Sequence, residues 1–169
     1  MVLKKKIRKS NFTKIIKPFF PLKTSIIKKK KGLATLSIGG NMGDVLRRFD
    51  RLIIMLQKSP LVSVVQTSPI LKNPPFGYLN QPYFYNAIIT IYSELEPKKL
   101  MRYLLAIEKR LGRKRTFQNA PRKIDIDMLG YNNRIINTPL LTIPYEKAME
   151  RESVVIPIYW MEREAHYDR

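Results

Sequence analysis

Apolar positions along this chain follow two alternating rhythms. Residues 33–38 (LATLSI) are a short apolar run stopped by Gly39-Gly40-Asn41, which reads as a strand and a turn. From residue 44 to 56, Val45, Leu46, Phe49, Leu52, Ile53 and Leu56 recur at helical spacing with arginines between them, and Pro60 closes the segment. Residues 62–66 predict a second strand and 86–92 (NAIITIY) a third. Between them, residues 68–82 carry Pro69, Pro74, Pro75, Gly77 and Pro82 and predict a long loop, of a length usually tied to function. Pro97 opens a second helix at its first position and Gly112 closes it at the C-terminal cap. Residues 124–129 predict a fourth strand, with a short hairpin through Asn132 and Asn133 to Ile135 and Ile136. The order β-α-β-β-α-β predicts an α+β, ferredoxin-like sandwich: an antiparallel sheet with two helices on one face.

A chain of 169 residues with 44% hydrophobic positions has material for about one domain and a sizeable core. Charge changes that picture at one end only. The balance of 32 Lys+Arg against 13 Asp+Glu gives +19, but residues 1–31 hold 12 basic residues and no acid. The remainder carries only +7. We therefore read residues 1–32 as a basic extension and 33–169 as the domain. The extension reads first as a partly ordered basic stretch with no function of its own, part of it packing on the body through Phe19, Phe20, Leu22, Ile26 and Ile27. A transit peptide and an arm for nucleic acid or a membrane surface are the alternatives. No apolar run is long enough to predict a transmembrane helix. With no secretory signal in sight, a cytoplasmic location is expected.

The residue inventory narrows the chemistry. Without cysteine there is no disulfide framework, thiolate zinc site or cysteine nucleophile. A single histidine, His166, close to the end argues against a Ser-His-Asp triad. Carboxylates, arginines and backbone must carry the function.

The sharpest feature is residues 120–129, APRKIDIDML. Side chains alternate along a strand, so Asp125 and Asp127 point one way, about 7 Å apart at their backbones, while Ile124, Ile126 and Met128 face the core. Two carboxylates on one face repel unless a cation lies between them, and Mg²⁺ with substrate phosphates suits that pair. The plain alternative is two exposed acids pairing with lysines on an edge strand. Arg122 just before the acids and Gly112-Arg113-Lys114-Arg115 upstream favour the metal and phosphate reading, because guanidinium forks bind phosphate oxygens bidentately. Residues 39–44 (GGNMGD) lack a phosphate-loop pattern and read as a turn with a helix cap, a ligand role being the alternative. Asn86 and Phe84 have the types to recognise and stack on a heterocycle, and equally those of an ordinary strand end.

Taken in order, these pieces resemble bacterial 6-hydroxymethyl-7,8-dihydropterin pyrophosphokinases. The matching runs are 38–43 (IGGNMG), 67–69 (TSP), 80–87 (NQPYFYNA), Ile107-Glu108 with 112–115 (GRKR), 120–127 (APRKIDID), and 141–144 (LTIP) followed by Arg151 and Pro157. The resemblance implies transfer of pyrophosphate from ATP to the hydroxymethyl group of the dihydropterin, with release of AMP. It implies two Mg²⁺ ions held by Asp125 and Asp127, and catalytic roles for Arg113, Arg122 and both aspartates. It assigns Glu108, Arg113, Arg115, Arg122, Met128, Thr142, Tyr145 and Arg151 to ATP, and Thr67, Ser68, Ile70, Phe84, Asn86 and Phe117 to the pterin. Residues 68–82 become a loop that closes over the reactants. Tyr145 and Ser153 stand where the family often has a histidine and an aromatic residue. The implied partners are these small molecules, with no membrane, no nucleic acid and a monomeric chain. A small basic RNA-binding protein of ferredoxin-like fold is the alternative.

Overall fold

The computed structural model describes residues 3–6, 11–25 and 31–167. Strands β1 (Leu3–Lys6), β2 (Thr13–Ile16) and β3 (Leu22–Lys23) precede the long strand β4 (Gly32–Gly40). Helix α1 (Val45–Lys58) follows, then β5 (Val62–Thr67), β6 (Ile70–Asn73) and β7 (Phe84–Ser93). Helix α2 (Pro97–Arg110) leads to β8 (Asp125–Tyr131), β9 (Ile136–Asn137) and β10 (Thr142–Ile143). A 3-10 turn at Glu146–Glu150 enters α3 (Glu152–Tyr167).

The architecture is α+β. Strands β6, β7, β4 and β8 lie side by side and antiparallel, and β5 continues the β6 edge along the other half of β7. The expected strand and helix positions are all found, within one to two residues at most ends. Helix α1 starts where the Asp44 carboxylate accepts the Arg47 N–H at 2.9 Å, and it buries Val45, Phe49, Leu52, Ile53 and Leu56. Helix α2 has Pro97 in its first turn and ends before Gly112, whose φ of +88° suits a residue without Cβ. Both helices cover one face of the sheet. That core includes Leu36, Ile38, Ile89, Ile91, Ile124, Ile126 and Met128.

Three features differ from the expectations. Residues 68–82 are not loop throughout, because 70–73 form β6. The turn at Asn132 does not fold β8 back into a hairpin: its side chain accepts the Leu33 N–H at 2.8 Å, and β9 pairs with β10 instead. A third helix, α3, covers the opposite face of the sheet, where Val154 and Met161 are buried with Ile88 and Ala148. Pro157 inside it obscures the helical signal, because proline removes a backbone donor and usually breaks a helix interior. Packing of the apolar stripe Val154, Ile158 and Met161 outweighs that local cost.

The N-terminal segment is also not set apart from the body. Strand β2 pairs with β6 and β3 with β5, so both are strands of the main sheet. Ile15 and Phe20 are fully buried, and the Phe20 ring lies 5.9 Å from that of Phe49. Lys17 is nearly buried, donating to Asp50 Oδ2 at 2.5 Å and to the Leu46 carbonyl at 3.1 Å. Phe19 and Leu22 pack on the core as expected, whereas Ile26 and Ile27 lie outside the described residues. A charge count averaged over 31 residues hides a few apolar side chains placed at core positions.

Candidate active site

The site lies on the sheet face opposite α1 and α2. Strand register sets its floor. Gly39 pairs with Asn86 on one side and with Asp125 on the other, and Ser37 pairs with Asp127. With strands about 4.8 Å apart, Asn86 and Asp125 are separated at their backbones by roughly 10 Å. A Cβ at Gly39 would stand 2.7 Å from the Asn86 Oδ1, so a larger residue there would displace that carboxamide.

A cavity of about 470 Å³ opens beside this floor, lined by residues 113–122, Asp125, Asp127, Tyr145 and Arg151. Its walls carry five basic side chains against two acids. Asp125 is shared by two guanidinium groups, Arg122 at 2.6 Å and Arg113 at 3.2 Å. Arg113 is braced by the Ile124 carbonyl at 2.9 Å. The Nε atoms of both arginines are buried with no hydrogen-bond acceptor among the described residues. The excess of basic over acidic side chains makes the cavity attractive to an anionic ligand.

The Asp127 carboxylate has no ion-pair or hydrogen-bond partner among the described residues. Burial, and then the negative charge of Asp125, push its carboxyl up to about 6, against the pull of Arg151, Arg122 and Arg113. A carboxylate made uncomfortable in this way is stabilised by a hard cation with oxygen ligands, and the pair offers only oxygen donors. Glu108 sits behind the floor on α2 and is nearly buried. It accepts the Ile126 N–H at 2.6 Å, and burial pushes it up to about 7 despite that bond.

Loops close the site from above. The Phe117 ring meets Tyr78 edge-on at 5.7 Å, and Gln81 donates to the Asn119 carbonyl at 3.1 Å. Asn41 ties both loops to the floor. Its Nδ2 donates to Gln81 and to the Pro82 carbonyl, while its Oδ1 accepts the Arg122 N–H at 2.8 Å. The sequence places Asn41 only in a turn, because nothing local in it shows that residues 81–82 and 122 meet there.

The structure brings Arg113, Arg115, Phe117, Arg122, Asp125, Asp127, Tyr145 and Arg151 to one cavity. The Tyr145 hydroxyl accepts from Arg151 at 3.2 Å, and the guanidinium lies 5.6 Å from its ring. Phe84 joins them through Arg122, whose Cζ lies 5.3 Å from the ring centre. Other expected site residues turn their side chains elsewhere. Met128 is buried in the opposite core, as strand alternation from Asp127 requires, and Ile70 is buried there too. Thr67 spends its hydroxyl on Phe19 and Leu22, and Ser68 spends its own on Pro69 and Ile88. Contacts from these four to a ligand would run through backbone. Thr142 is exposed and outside the cavity lining.

The fold and site define a small α+β protein with paired carboxylates beside a strongly basic cavity. Residues 35–163 match the family model described as 7,8-dihydro-6-hydroxymethylpterin-pyrophosphokinase. A Campylobacter jejuni protein named 2-amino-4-hydroxy-6-hydroxymethyldihydropteridine pyrophosphokinase is 35% identical over 140 residues, covering 83% of this chain and 89% of its own. The Helicobacter pylori protein of the same name is 35% identical over 145 residues, with 83% and 87% covered. A Bacillus subtilis relative of that name is 32% identical over 126 residues, 75% of each chain. The chain belongs to the 7,8-dihydro-6-hydroxymethylpterin-pyrophosphokinase family.

Proposed function

We propose that this protein transfers pyrophosphate from ATP to the hydroxymethyl group of 6-hydroxymethyl-7,8-dihydropterin and releases AMP, a step of folate biosynthesis. One observation carries the reading beyond family membership. Arg122 pairs with Asp125 and lies over Phe84, so one residue joins the paired carboxylates to the aromatic wall. Asn86 lies one strand beyond Gly39, within reach of a bicyclic ring whose side arm extends toward the phosphates. We read the β-α-β-β-α-β run as the ferredoxin-like arrangement, on the strand order β8-β4-β7-β5. We read the enzyme as a cytoplasmic monomer.

Asp125 and Asp127 would hold two Mg²⁺ ions, which supply charge neutralisation to the transferring and leaving phosphate oxygens. The protein's own part is placement and electrostatics. The substrate hydroxyl oxygen bonds to the β-phosphorus of ATP, the bond from that phosphorus to the bridging oxygen of AMP breaks, and the hydroxyl proton is released. Arg113 and Arg122 bring their guanidinium charge to the phosphate oxygens. Arg151, held by Tyr145, and Arg115 add positive charge along the same wall. Phe84 and Asn86 face the ring, and Phe117 closes over it with Tyr78.

The test is incubation with ATP, Mg²⁺ and the hydroxymethyl dihydropterin. AMP is the expected product, and ADP or no product refutes the reading. Arg113→Ala is expected to lower turnover more than ATP binding. A small RNA-binding protein is not favoured, since α3 covers part of the sheet face that such proteins use and the two acids on that face would repel RNA phosphates.

A further inference from the structure

We propose that Asn73 sets the direction in which the Asn86 carboxamide points, and so fixes the hydrogen-bonding polarity this protein offers to the pterin ring. The inference rests on the reading of Asn86 as a pterin-facing residue.

The argument starts from a group that cannot change its polarity. The Pro74 carbonyl can only accept, and it accepts from Asn73 Nδ2 at 2.8 Å. That bond turns Asn73 Oδ1 the other way, where it accepts from Asn86 Nδ2 at 2.7 Å. With its nitrogen committed to Asn73, Asn86 carries its Oδ1 over Gly39, where a Cβ would come within 2.7 Å of it. Gly39 pairs in turn with Asp125, so the acceptor end of Asn86 faces the catalytic side of the floor. The ring edge of a 2-amino-4-oxo pterin carries N–H donors beside a carbonyl. A flipped Asn86 would set donor against donor.

Asn73 is well placed to act as this reference. It is the last residue of β6 and pairs with Phe84, while the preceding Lys72 pairs with Thr13 of β2. The N-terminal strand therefore backs the strand that carries the orienting residue. Asn73 touches no reacting atom in this scheme. It is a positioning residue.

Three variants test it, read by steady-state kinetics with AMP as the product. Asn73→Ala removes the partner of Asn86, and KM for the dihydropterin is expected to rise about ten-fold or more, as for a site that loses one oriented hydrogen bond. KM for ATP and kcat stay within about two-fold. Asn73→Asp loses the bond to Pro74 but still accepts from Asn86, and is expected to keep pterin KM below that of the alanine variant, whereas Asn73→Lys only donates and loses at least as much as alanine. In an Asn86→Ala background, Asn73→Ala should add less than two-fold. Equal pterin KM for the Asp and Lys variants overturns the proposal, even if the alanine variant fails to fold. So does an additive effect in the Asn86→Ala background. If wild type makes no pterin-dependent AMP, the functional reading itself fails, which is a separate outcome.

Discussion

Replacing Glu108 with glutamine should make the metal-free protein less sensitive to alkaline pH, by an amount that follows from the burial of this carboxyl. Glu108 is 3% exposed and bonds the Ile126 N–H through one oxygen. Its proton affinity is raised from an ordinary value of 4.5 to about 7, chiefly by burial and further by Asp125. Below pH 4.5 both folded and unfolded chains hold the proton, so this group adds no pH dependence. Between 4.5 and 7 the unfolded chain ionises first, so the native state binds more protons and stability falls as pH rises. Above about 7 the loss is complete. At roughly 1.36 kcal/mol per pKa unit it amounts to about 3 kcal/mol.

Glutamine keeps an acceptor for Ile126 and never ionises. Its new amide nitrogen adds a cost from burial, but that cost does not vary with pH. The measurement is therefore the difference in melting midpoint between variant and wild type, in EDTA, at pH 4.5 and at pH 8. The difference should move in favour of the variant by about 6–12 °C between those two conditions, for a domain of this size. A difference that stays constant across the range, or that moves the other way, would refute the claim that Glu108 is buried as a strained acid.

Asp127→Asn should melt higher than wild type at pH 8 without metal, because burial and Asp125 oppose its charge, while Mg²⁺-dependent AMP formation falls by roughly 10²-fold or more. A variant that loses stability and keeps its turnover contradicts both halves. Phe20→Ala empties a fully buried position in the N-terminal segment and should cost about 3–5 kcal/mol in a urea titration. A change under 1 kcal/mol would mean the segment does not contribute to the core. Asn41→Ala removes three side-chain hydrogen bonds, to Gln81, Pro82 and Arg122, and should lower kcat more than it raises KM for ATP. Unchanged kcat would show that Arg122 is held without it.

Much of this protein is legible along the chain. Periodicity placed α1, α2 and the strands β4, β5, β7 and β8, since each buries a face whose spacing is local. The same period-two logic put Asp125 and Asp127 on one side of β8 and Ile126 on the other, and residue type then named the arginines beside them. The structure alone decided what depends on partners distant in sequence. Phe20, Ile15 and Lys17 belong to the core because α1 and the β5–β6 edge lie beside them, which a lysine-rich composition conceals. Helix α3 forms across Pro157 because Ile88 offers its far side an apolar face. Register brings Asn86, Gly39 and Asp125 into one row, and the chance neighbours of that row, Asn73 and Asn41, acquire roles that their own sequence surroundings do not carry. Hydrogen bonds between side chains remote along the chain are set only when the strands pair, so the orientation of a site is tertiary even where its residues are not.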